Sequence, residues 1–108
     1  MADVVAVVSD LMLASRVEET LRAAGHDVRV VSSVDAVEEG AGPPAVVVAD
    51  LNDVDPADLR QVGRPVLGFY SHVDVATRTH AEEQGIDVVV PRSRLVREMP
   101  QLVDSLLD

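Results

Sequence analysis

Cysteine, tryptophan and lysine are all missing from these 108 residues, and each absence closes off some chemistry. Without cysteine there is no disulfide, no thiol nucleophile and no cysteine-ligated zinc. Without lysine, all nine basic residues are arginines, set against 19 acidic ones for a formal net charge of -10. Such a surface repels phosphate backbones and anionic lipid, so neither nucleic acid nor membrane is expected as a partner. No apolar run is long enough to span a bilayer, and the N-terminus lacks a signal peptide's basic start, so a cytoplasmic location is expected. Aromatic residues shrink to Phe69 and Tyr70, side by side, leaving a core of Val, Leu and Ala. That core composition favours strands covered by helices.

What is present reads as one domain over residues 1–108, with 47% apolar residues ruling against disorder. VVAVV at 4–8 is a strand buried on both faces. Leu13, Val17, Leu21 and Ala24 recur at helical spacing, and Gly25 sits where a left-handed cap belongs. Val28, Val30 and Val31 form a second strand, and Ser33 caps a short helix over 34–39 that dissolves into the Gly/Pro-rich stretch 40–44. Residues 45–49 make a third strand ending at Asp50. Asp55 and Pro56 open a helix that Gly63 and Pro65 stop near Val62. A fourth strand covers 66–70, and a helix capped by Asp74 and closed by Gly85 places Arg78 opposite Glu82. The fifth strand is 86–90, Ser93 caps a further turn, and Pro100 restarts a last helix. Strict alternation with right-handed crossovers predicts an α/β, doubly wound, five-stranded parallel sheet.

In such a sheet the strands' carboxyl ends carry the site. Ser9 and Asp10 follow strand one, and Asp50 and Asn52 follow strand three. Ser71 and His72 follow strand four, and Arg92 and Ser93 follow strand five. With strand order 2-1-3-4-5, strands one and three are neighbours, so Asp10 and Asp50 converge; two carboxylates plus a backbone carbonyl can seat Mg²⁺.

From VVSD through AVVVADLN to VVVP, the chain resembles the receiver domain of bacterial response regulators (CheY-like), over nearly its whole length. The resemblance implies a flavodoxin-like fold and a signalling role, with Asp50 at the phosphoacceptor position. It further implies Ser71 (or Tyr70, one residue away) as the phosphoryl contact and a weakly held Mg²⁺ on Asp10, Asp50 and Asn52. A histidine kinase or another signalling protein is the implied partner. Three positions depart from the family pattern. Ser9 stands for the first acid of the metal-binding pair, Val90 for the lysine before Pro91, and Asp87 for the switch aromatic. The second and third helices are short. These departures describe a degenerate, or pseudo-, receiver.

Each residue also has a plainer reading. Asp50 and Asp10 can be strand-end or helix-entry carboxylates. Arg92 can be a counter-ion folded over the two acids or an ordinary loop arginine, the plainer reading being preferred. His72 beside Ser71 belongs to a capped helix entry, and His26 and His80 read as isolated and solvated. Leu11 and Met12 fill the site mouth or form a docking surface, and Leu102, Val103, Leu106 and Leu107 leave a homodimer contact open. The expected function is therefore an atypical, non-enzymatic receiver acting through protein contacts. The alternatives are a working phosphoacceptor with Asp50 as nucleophile, and a small-ligand-binding flavodoxin-like domain.

Overall fold

A computed structural model of the chain describes residues 2–37, 44–71 and 75–107. Its strands are β1 (Asp3–Val7), β2 (Asp27–Val31), β3 (Val46–Asp50), β4 (Val66–Tyr70) and β5 (Val88–Pro91). They pair in parallel throughout, in the order β2-β1-β3-β4-β5. Burial accounts for which strands lie inside and which at the edges. Every residue of β3 and β4 is buried, as is all of β1 after Asp3, so these strands need neighbours on both edges and helices on both faces. β2 and β5, which carry half-exposed residues, lie at the edges.

The helices are α1 (Leu11–Ala23), α2 (Pro56–Leu59), α3 (Val75–Glu83) and α4 (Arg92–Asp104). Side chains alternate along each strand, so the core divides into two layers. On one face Val4, Ala6, Val46, Val48 and Phe69 pack under Leu13, Val17 and Leu21 of α1 and Leu95, Met99 and Val103 of α4. On the other, Val5, Val7, Val47 and Ala49 pack under Leu59 of α2 and Ala81 of α3.

Several local signals are realised directly. Asp10 caps α1 by accepting from the Met12 and Leu13 N–H groups, and Asp55 caps α2 by accepting from Ala57, with Pro56 at the first helical position. Beyond α1 and α3 the chain turns at Gly25 (φ 95°) and Gly85 (φ 80°), a backbone region that costs glycine nothing. Arg78 meets Glu82 at 3.6 Å.

Other expectations need correction. The helix expected over 34–39 is a 3₁₀ turn, Val34–Ala36, and Ser33 makes no side-chain cap bond; residues 38–43 lie outside the described residues, as does Asp74. Arg29 of β2 holds this turn, its guanidinium donating to the Ala36 and Val37 carbonyls at 2.9 and 2.6 Å. α2 has only four residues before a 3₁₀ turn continues to Val62. The fifth strand starts at Val88, because the Asp87 carboxylate instead takes the Val66 N–H at 2.8 Å. Ser93 caps nothing: Pro91 occupies the N-cap position and Ser93 lies inside α4. The restart expected at Pro100 is present: α4 leaves helical geometry at Glu98 and resumes beyond it, in the segment that carries Pro100. Leu102 and Val103 are core, with Leu106 and Leu107 packed against them.

Burial separates apolar residues with similar sequence signals. Leu95→Ala, at a fully buried position, is expected to cost about 2–5 kcal/mol of unfolding free energy. Leu11→Ala, at a position 85% exposed, should stay within about 0.5 kcal/mol of the parent. Urea unfolding of the two variants checks the contrast; equal losses would contradict the placement of α1 and α4.

Candidate functional site

Because β1 and β3 pair with Val7 opposite Ala49, their carboxyl ends open onto the same rim, and the loops after them meet there. Asp50 is the last residue of β3 and only 6% exposed, whereas Asp10 is exposed at the N-cap of α1. The Asp50 side chain accepts the Asn52 N–H at 3.0 Å, and its carbonyl accepts from Asp53 and Val54 at 3.1 and 2.9 Å, folding the loop into a tight turn.

Three polar links join this loop system. The Ser9 hydroxyl donates to the Asp53 carboxylate, tying the loop after β1 to the loop after β3. Asn52 Oδ1 accepts the Ser71 N–H at 2.6 Å, tying the loop after β3 to the end of β4. Arg92 Nη1 stands 3.8 Å from Asp10 Oδ2, joining α1 to the start of α4. Arg92 thus stands at ion-pair distance from the rim, with both side chains still partly exposed.

The electrostatics follow from this crowding. Burial pushes the Asp50 carboxyl above its ordinary value; the Asn52 N–H draws it back, the Asp53 charge raises it again, Arg92 lowers it and Asp10 raises it. Val90, at the position before Pro91, is fully buried in the core and brings no charge. Asp10 spends Oδ1 on two N–H groups of α1 while Oδ2 faces Arg92. Among the described residues, no group of three or more His, Cys, Asp or Glu side chains is arranged to hold a metal ion.

Of the residues singled out in the sequence, Ser9, Asp10, Asp50, Asn52, Ser71 and Arg92 gather at the rim. Tyr70 closes β4, buried, so Ser71 is the first loop residue there. Ser93 is exposed on the first turn of α4, and His72 lies outside the described residues. Asp53 was not singled out, although it holds Ser9 and acts on Asp50. Its signal was the spacing D-L-N-D, which returns a second carboxylate to the edge of a tight turn. The two other histidines are not isolated. His26 is buried with Nε2 3.4 Å from Asp104, and His80 lies 3.2 Å from Asp55. Leu11 and Met12 leave the site mouth open, standing 85% and 84% exposed.

No protein-family model matches the sequence, and no curated protein sequence matches it. Solved structures do. The chain is similar to a CheY-like receiver domain protein from Methanospirillum hungatei JF-1, with TM-score 0.84 and 12% identity, covering 100% of this chain and 94% of that one. It is also similar to the receiver domain of the Francisella response regulator 1452, with TM-score 0.81 and 15% identity, covering 99% and 97%. NtrX from Brucella abortus, solved with ADP, aligns at TM-score 0.82 and 19% identity over 98% of this chain, which spans only 27% of NtrX. The fold is therefore that of the response-regulator receiver domain, the flavodoxin-like doubly wound sheet. Among the described residues no helix is long and apolar enough to cross a membrane.

The Asp50 shift carries a pH dependence of known sign. A carboxyl that holds its proton more tightly in the folded chain costs stability when ionised, so the loss grows as pH rises from the ordinary value of 3.8 through the raised folded value. Asp50→Asn keeps an oxygen for the Asn52 N–H and removes the buried charge. The variant should melt a few degrees higher at pH 7, with the difference shrinking on acidification and vanishing below pH 3.8. A variant less stable than the parent at pH 7 would contradict this account of the rim.

Proposed function

We propose that the chain is a receiver-type signalling module that acts by protein–protein contact, its rim held in one arrangement by built-in links instead of being switched by phosphorylation. The Arg92–Asp10 pair supports this reading most strongly, because a guanidinium already stands beside the acid that a metal would need. The Ser9–Asp53 and Asn52–Ser71 links work in the same direction, tying together loops that a phosphoryl group would otherwise rearrange.

On this reading the donor set is a poor seat for a resident Mg²⁺. A metal on Asp10, Asp50 and the Asn52 carbonyl would have to displace Arg92, and Ser9 supplies a hydroxyl where a third charge would help. Phosphotransfer to Asp50 is disfavoured for a related reason: the anionic donor would approach Asp10, Asp50 and Asp53 with one arginine to offset them. A phosphate-bearing small ligand fares no better. The open groove of about 410 Å³ beside the rim is lined by Asp35, Asp53, Asp55 and Asp58.

The reading is tested by adding millimolar Mg²⁺ with beryllofluoride and following the amides of Asp50, Asn52, Asp53 and Ser71 by NMR. These amides should keep their positions. Mg²⁺-dependent shifts at all four would overturn the contact-only reading and restore Asp50 as a phosphoacceptor.

A further inference from the structure

The last helix is tethered at both ends and interrupted in the middle. Arg92, its first residue, faces Asp10 on the rim, and Asp104, its last, faces the buried ring of His26 just beyond α1. Between them Glu98 leaves helical geometry, at φ -123° and ψ 21°. Pro100 explains the break: it has no N–H for the Val96 carbonyl, and its ring crowds that carbonyl, so the preceding turn opens. The Glu98 carboxylate lies 3.4 Å from Arg94 and 3.2 Å from Arg97, both on the rim side of the break.

The two segments are held unequally. Residues 92–97 bury one side chain fully, Leu95, with Val96 half-buried, while residues 99–104 bury Met99, Leu102 and Val103. The rim-side segment also begins on Pro91, which makes no side-chain cap bond to the first-turn N–H groups. Fewer buried contacts and an uncapped end mean a lower free-energy cost of local movement.

We infer that α4 is a two-part lever: residues 92–97 follow the charge state of the acid rim through Arg92, and the break at Glu98 confines that movement, leaving residues 99–104 fixed against α1 and His26. The biological use of the lever rests on the reading of the rim as the functional centre, but its mechanics stand on α4 alone. Direct electrostatics cannot imitate it. Residue 102 lies roughly 15 Å along the helix from Arg92, beyond the screening length at physiological salt.

The test is hydrogen exchange and amide shifts of the full chain, comparing the parent with Arg92→Gln and Asp10→Asn. Asparagine still caps α1, so Asp10→Asn removes the same link from the other side if Arg92→Gln folds poorly. Exchange at residues 94–97 should rise about two- to fivefold, as loss of an exposed ion pair allows, and at 102–104 by less than about 1.5-fold. In a Pro100→Ala background the same substitutions should perturb residues on both sides of Glu98. The lever is overturned by an effect that spreads evenly to Asp104 in the parent background, by no effect at 94–97, or by confinement that survives Pro100→Ala. Because no metal or phosphoryl analogue is used, a beryllofluoride response at Asp50 would overturn the contact-only function and leave this result standing.

Discussion

Placing Asp10, Asp50 and Asp53 at one end of a parallel sheet sets like charges against one another, and one of them, Asp50, is buried. Parallel pairing of β1 and β3 makes this unavoidable, since both strands deliver their following loops to the same rim. In a chain of net charge -10 with no lysine, relief has to come from arginine or from hydrogen bonds. Both are used. Arg92 faces Asp10, the α1 N–H groups solvate the same carboxylate, Ser9 donates to Asp53, and Asn52 donates to Asp50. Each of these is a modest interaction on its own, and the exposed Arg92–Asp10 pair is worth about 1 kcal/mol or less. Together they join the segments after β1, β3 and β5, and the Asn52–Ser71 bond adds the end of β4.

This accounts for the departures from the receiver pattern as a connected set. Val90, buried in the core, cannot reach the rim, and the cation is supplied two residues later by the first residue of α4. Asp87, at the place of the switch aromatic, is committed to the Val66 N–H at the opposite end of the sheet. That carboxylate therefore does not face the rim, whereas α4 carries a charge link to it.

The fold was legible in the sequence because its signals are local and redundant. Unbroken valine runs can only be strands covered on both faces, and Leu13, Val17 and Leu21 ending at Gly25 specify one helix in one place. The strand order rested on the receiver resemblance, and the structural neighbours share it. Legibility failed where tertiary contacts override local preference. The turn at Val34–Ala36 is held by Arg29 from β2, and the start of β5 is set by what Asp87 bonds to. Asp53 escaped notice because its partner, Ser9, lies 44 residues away. His26 looked solvated because a lone histidine after a glycine carries no mark of the helix that covers it. Arg92 had two readings on sequence grounds, and only the geometry of α4 placed it against Asp10.

The account depends on Arg92 being an electrostatic partner of the acid rim, and a ¹³C-detected titration of the Asp50 carboxyl reads that directly. In the parent, Asp50 should titrate above its ordinary value, and in Arg92→Gln it should move higher still, because an opposing charge has been removed. An Asp50 titration that is the same in both proteins would mean that Arg92 does not act on the rim, and the central claim would fail.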